Sequence, residues 1–169
     1  MSEKISIKRI TLAGLLTAVI FVATAYIHVP TGLGYTHIGD GFIFLAAALL
    51  PKKYSIPTAA LGAALADAAC GMMIWAPATL VIKTLIVLPF AACKGKILVA
   101  RNYAALITAL LFNSIGYSLY EAAFMTSDSL SAALVSAFAQ TPFYTIQTAM
   151  GAAIFFALGK VLDTNKIRT

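Results

Sequence analysis

The chain has 169 residues, of which 61% are hydrophobic and 11% charged, with a formal net charge of +6. A soluble domain carries about 25% charged residues, and one this small has too little interior for so much apolar side chain. Composition therefore excludes an ordinary water-soluble enzyme or binding module. The basic residues sit at the ends of apolar runs, which also argues against a nucleic-acid footprint.

The first apolar run, residues 7–27, follows Lys4, Lys8 and Arg9. A basic start and an apolar stretch resemble a secretory signal. This run is too long for one and leads into His28-Val29-Pro30 instead of a small-residue cleavage site. It reads as a retained first helix. Pro30, Gly32 and Gly34 then mark a loop. A shorter second helix is predicted over 38–50, stopped by Pro51-Lys52-Lys53. The third spans 56–73 and is rich in small residues. Trp75 and Pro77 mark the next turn, the fourth helix spans 78–93, and the fifth spans 103–120. After a polar loop at 126–129, the sixth runs over 131–158 with Pro142 as an expected kink. Cys70 and Cys93 should lie near opposite faces of the membrane, too far apart for a disulfide.

With six crossings, every basic cluster falls on one side: Lys4, Lys8 and Arg9; Lys52 and Lys53; Lys94, Lys96 and Arg101; Lys160, Lys166 and Arg168. Loops 28–41, 74–77 and 121–130 carry no lysine or arginine. The positive-inside rule makes the basic side cytoplasmic. One helix more or fewer scatters this pattern. The expected architecture is all-α: an integral membrane bundle of six transmembrane helices, both termini cytoplasmic, forming one domain over residues 1–169.

Ionisable residues within spans are costly and mark function. Asp67 and Lys83 should lie at one depth, roughly 8–10 Å below the outer face by helical rise, where a salt bridge between them is geometrically open. Asn113 shares a face with Tyr117, Tyr120 and Glu121, at spacings of four, seven and eight residues. Gln140, Tyr144 and Gln147 repeat the four-and-seven pattern. Together they outline a polar layer, read either as a ligand site or as hydrogen bonding between helices. Trp75 suits an interfacial anchor or a stacking platform for a flat ligand. His37 and Asp40, in a Gly-rich outer loop, suit a gate over a ligand better than a metal site. Stripes of small residues, Gly14 with Ala18 and Ala59 with Ala63, permit close helix approach. They serve packing, or on the first helix docking to another membrane protein.

No phosphate loop GxxxxGK[ST], HExxH or GxSxG is present. The segment HIGDGFIFLAAALLPKKYSIPTAALGAALADAACGMMIWAPATLVIKTLIV, residues 37–87, resembles the S components of energy-coupling-factor (ECF) transporters. It looks closest to the riboflavin and hydroxymethylpyrimidine branch. The matching pieces are Ile38-Gly39-Asp40, the small-residue run ending at Ala66-Asp67, and Trp75-Ala76-Pro77 followed by Ile82-Lys83. The resemblance implies a binding subunit for a vitamin or precursor in a prokaryotic plasma membrane, with no enzymatic activity and no cofactor. It also implies a separate transmembrane coupling subunit and two ATP-binding subunits, docked through helices one and three. Two other readings stay open: an accessory protein without a ligand, and a membrane enzyme using His37 with Asp40 on a lipid or isoprenoid.

Overall fold

A computed structural model describes residues 6–31, 34–92, 95–124 and 129–165, apart from the side chain of Leu130. In chain order it contains α1 (Ile7–Tyr26), β1 (His28–Pro30), β2 (Tyr35–His37), α2 (Asp40–Leu49), α3 (Lys52–Ala69), a tight helical turn (Met73–Trp75), α4 (Ala76–Val87), α5 (Ala100–Phe124), α6 (Leu130–Phe138) and α7 (Thr141–Thr164). The protein is all-α apart from one small hairpin. α1, α5 and the stretch 131–164 are each long and apolar enough to cross a bilayer. Large apolar side chains such as Leu15, Leu65, Val81, Ile107, Leu111 and Ile146 are exposed on its surface, as a lipid-facing exterior requires.

Proline and glycine place the helix ends. Pro51 holds Leu50 extended (φ −106°, ψ 142°) and so stops α2. α3 begins one residue later, so Lys52 and Lys53 form its first turn instead of the expected loop. It ends at Gly71, which has φ 76°. Gly71 N–H donates to Ala68 O (3.2 Å) and Met72 N–H to Asp67 O (2.8 Å), the paired bonds of a left-handed helix cap that glycine adopts without a Cβ clash. Pro142 lies in the first turn of α7. A proline is at home there, because the amide it lacks has no helical partner anyway. Instead of kinking one long helix, the chain breaks between α6 and α7.

One end of the bundle is tied by backbone carbonyls that helix ends leave unpaired. Lys52 Nζ donates to Val87 O, and to Phe90 O at 2.7 Å, closing the end of α4. Arg101 Nε donates to Pro89 O (2.9 Å). Asp163, near the end of α7, accepts the amides of Ile97 (2.7 Å) and Leu98 (3.1 Å). Ser6 N–H, at the start of α1, donates to Tyr54 Oη (3.3 Å). The hairpin, the Gly71 cap and the Trp75 turn belong to the other end.

α2 has ten residues, about 15 Å of helix, half of a hydrocarbon layer of roughly 30 Å. The hairpin occupies the space that α2 leaves, with His28 opposite His37 and Pro30 opposite Tyr35. Such non-helical backbone is tolerated at membrane depth where it lines a cavity within the protein. Under it the core is aromatic. Phe44 stacks on Phe90 (5.4 Å, 15°), and Phe155 meets both edge-on, at 6.4 and 5.9 Å.

The small-residue stripes part company. Gly14 and Ala18 are exposed on α1. Ala59 and Ala63 are 0% and 1% exposed and belong to the core, where Thr58 Oγ1 donates to Ala13 O of α1 (3.4 Å). They cannot form part of a docking surface. Cys70 carries a free thiol. Cys93 lies outside the described residues, as do Lys4, Lys94, Lys166 and Arg168.

Candidate functional site

The site is built in two layers above the aromatic core. The lower layer is a closed polar cluster. Asp40, the first residue of α2, is fully buried. Lys83 Nζ of α4, also fully buried, donates to Asp40 Oδ1 (2.7 Å) and to Asn113 Oδ1 of α5 (3.0 Å). Asn113 Nδ2 donates to Asp40 Oδ2 (2.8 Å) and to Thr148 Oγ1 of α7 (3.0 Å). Gln147 Nε2 adds a third donor to Asp40, at 3.0 Å on Oδ2. Four helices thus meet on one carboxylate. Burying an ion pair is costly unless further hydrogen bonds fill the remaining lone pairs and protons; here Asp40 accepts three donors and Lys83 fills two of its three protons.

This corrects three expectations. The partner of Lys83 is Asp40, not Asp67. Asp40 is no loop gate but the centre of the buried cluster, because the loop before it is short and folds inward. Asn113 likewise belongs to the cluster and does not line the space above.

That space is the upper layer, a cleft of about 480 Å³ counted out to its open mouth. Seven of the residues singled out from sequence line it: His37, Asp67, Trp75, Tyr117, Gln140, Tyr144 and Gln147. Gln147 therefore serves both layers. Tyr117 stacks on Tyr144 (5.4 Å, 23°) and meets Trp75 edge-on (5.8 Å, 70°). Beneath it, Lys83 Nζ lies 5.4 Å from the Tyr117 ring centre, so the aromatic wall rests on the charged floor. The side chains around it leave the interior of the cleft narrow. A ring compound therefore needs the hairpin or the aromatic side chains to move aside.

The lining also includes Thr31, Gly34, Tyr35, Thr79 and Phe143, which sequence reasoning missed. Two of them were accessible by periodicity. Tyr35 is two residues from His37, the strand repeat, and Thr79 is four from Lys83, the helix repeat. Tyr35 Oη donates to Asp67 Oδ1 (2.5 Å), and Thr79 Oγ1 is 3.0 Å from Tyr117 Oη. Thr36 Oγ1 donates to Phe143 O (3.3 Å), fastening the hairpin to α7. Glu121 departs from expectation. It is fully buried but off the cleft, and neither carboxylate oxygen has a hydrogen-bond partner among the described residues.

His37, in the hairpin, accepts the Gly39 amide at Nδ1 (3.1 Å). Burial pulls its pKa down from 6.5 to about 4, more than the neighbouring Asp40 carboxylate raises it. The folded chain therefore keeps His37 neutral while the unfolded chain takes up a proton. Stability conferred by neutral His37 is full above pH 6.5 and drains away as pH falls toward 4. Unfolding measured across that window should show this slope, and His37→Gln should flatten it.

A comparison with protein families matches residues 4–164 to the ECF-type riboflavin transporter, S component. The chain belongs to this family. A search of curated proteins finds no match. As an ECF S component the chain is a substrate-binding membrane subunit of a transporter and not an enzyme. The family also implies a vitamin-like ligand and a coupling module with ATPase subunits as partners.

Proposed function

We propose that this S component captures a vitamin-sized ring compound from outside the cell in the cleft beneath the hairpin. A separate transmembrane coupling subunit and two ATP-binding subunits then drive its uptake across a prokaryotic plasma membrane. The observation that carries this reading is the cleft itself. It is a concave space walled by Trp75, Tyr117 and Tyr144, with Asp67, Gln140 and Gln147 as convergent polar groups. Few polar groups among aromatic walls is the usual make-up of a small-molecule site.

In this reading the single domain crosses the bilayer six times, with α6 and α7 counted as one crossing and both termini cytoplasmic. Lys52 and Arg101 lie at the end of the bundle where α1 begins and α7 finishes, which supports that orientation. Docking to the coupling subunit is assigned to the exposed Gly14 and Ala18 of α1.

A thermal-shift titration of the detergent-purified chain against riboflavin and other B-group vitamins tests the reading. A ligand that binds only the folded state raises its stability in proportion to ln(1 + [L]/Kd). Trp75→Ala and Gln140→Ala should each weaken the bound vitamin by about tenfold, equivalent to about 1.4 kcal/mol. The melting temperature without ligand should barely move for Gln140→Ala, whereas Trp75→Ala, which empties a buried ring position, lowers it. Unchanged affinity in both variants, or no stabilising vitamin at all, removes the cleft as the site.

A further inference from the structure

The charges around the cleft do not balance. Among the described residues of the lining and its floor, the formally charged groups are Asp67, Asp40 and Lys83, with His37 neutral. Asp40 and Lys83 cancel each other at 2.7 Å, and Lys83 sits under Tyr117, shut off from the cleft. One carboxylate is left over. Asp67 is only 6% exposed. Tyr35 Oη satisfies its Oδ1, while its Oδ2 is buried and has no hydrogen-bond partner among the described residues, and Asp67 lines the cleft. A carboxylate oxygen held out of water without a donor is a standing cost, which an incoming cation or N–H group removes.

The walls point the same way. The faces of Trp75 and Tyr144, both in the cleft lining, carry negative quadrupole density that attracts cations. A neutral ring presenting carbonyl oxygens to this corner sets oxygen against oxygen. A ring presenting amino groups and a positive charge gives Oδ2 its missing donor and restores neutrality in the site.

We propose that the site selects a cationic, amino-substituted nitrogen heterocycle, a flat ring carrying one positive charge, whose N–H edge docks on Asp67 Oδ2 between the aromatic walls. This inference rests on the cleft being the ligand site, as proposed above, and adds the charge and donor pattern of the ligand. Asp67 acts as the specificity determinant. Tyr35 positions it by holding Oδ1, so that Oδ2 faces the ligand.

The test is isothermal titration of the purified full chain with thiamine and pyridoxamine, both cationic, and with neutral riboflavin. The expected result is that at least one cationic ring binds about tenfold or more tighter than riboflavin. Asp67→Asn should then weaken that ring by about tenfold or more while moving riboflavin affinity little. The melting temperature of the ligand-free variant checks its fold. If Asp67→Asn fails to fold, the ranking of the probes on the unaltered chain decides alone. Tighter binding of riboflavin than of either cation overturns the inference and leaves the binding-subunit reading intact. Binding of none of the three overturns both.

Discussion

Lys83→Met lowers the stability of the folded chain by about 3–5 kcal/mol, and adding Asp40→Asn to it recovers most of that loss. The single change strips a fully buried carboxylate of its counter-ion and leaves Asn113 Oδ1 without the donor it has at 3.0 Å. The second change removes the stranded charge. It also keeps an acceptor oxygen for the amides of Asn113 and Gln147, now 2.8 and 3.0 Å from Asp40 Oδ2. Asp40→Asn alone should be nearly as harmful as Lys83→Met alone, because it leaves a buried ammonium instead. Denaturant unfolding in detergent gives all four corners of the cycle. It can be followed by the fluorescence of Trp75, the only tryptophan of the chain. A coupling energy near zero would mean that the two charges are solvated separately and that the floor is not one unit. Because Lys83 also underlies the Tyr117 ring, the single variant should loosen the aromatic wall and weaken ligand binding. The double variant should restore folding more fully than binding.

Much of this was readable in the chain. Pro51 and Pro77 mark helix ends by rules that act over a few residues, so most elements fall near their expected places, while α3 stops at Gly71, short of the predicted 73, and Pro142 opens a new helix instead of kinking one. Polar residues spaced by four and seven identified one face of α5 and one of α7, and both faces meet at the site. Pairing across helices was harder, because depth was counted along the chain. Counting residues from a common outer turn places Asp67 and Lys83 level, and by that measure a salt bridge between them is open. Asp40 instead reaches Lys83 because the chain before it turns back as a hairpin and α2 starts deep within the bundle. Nothing local to residues 28–41 fixes that depth. The stripe of small residues on α3 is ambiguous for a similar reason. Its periodicity marks a close helix contact but does not say whether the contact lies inside the bundle, as for Ala59 and Ala63, or outside it.

What sets the depth of α2 is its crossing with α7. A Cβ added at Gly41 would lie 2.7 Å from Ile154 Cβ and 2.9 Å from Gly151 O. One added at Gly151 would lie 3.0 Å from both Asp40 Cβ and Gly41 N. Backbone meets backbone here, and no side chain at either position can swing away. Gly151→Leu should therefore cost about 1–3 kcal/mol or more through overpacking. Most of the effect should fall on the site. Gln147 lies one turn before Gly151, and pushing α7 off α2 lengthens its 3.0 Å bond to Asp40 as it widens the cleft floor. Gly14→Leu is the control, since a Cβ there meets nothing within 4 Å and the better helix propensity offers up to about 1 kcal/mol. The two variants should separate cleanly in an unfolding assay with a vitamin titration alongside. Gly151→Leu loses stability and affinity together, while Gly14→Leu keeps both. Equal behaviour of the two would show that α2 and α7 can part without disturbing Asp40. The depth of the charged floor would then be set by the α4–α5 side of the bundle, through Lys83 and Asn113.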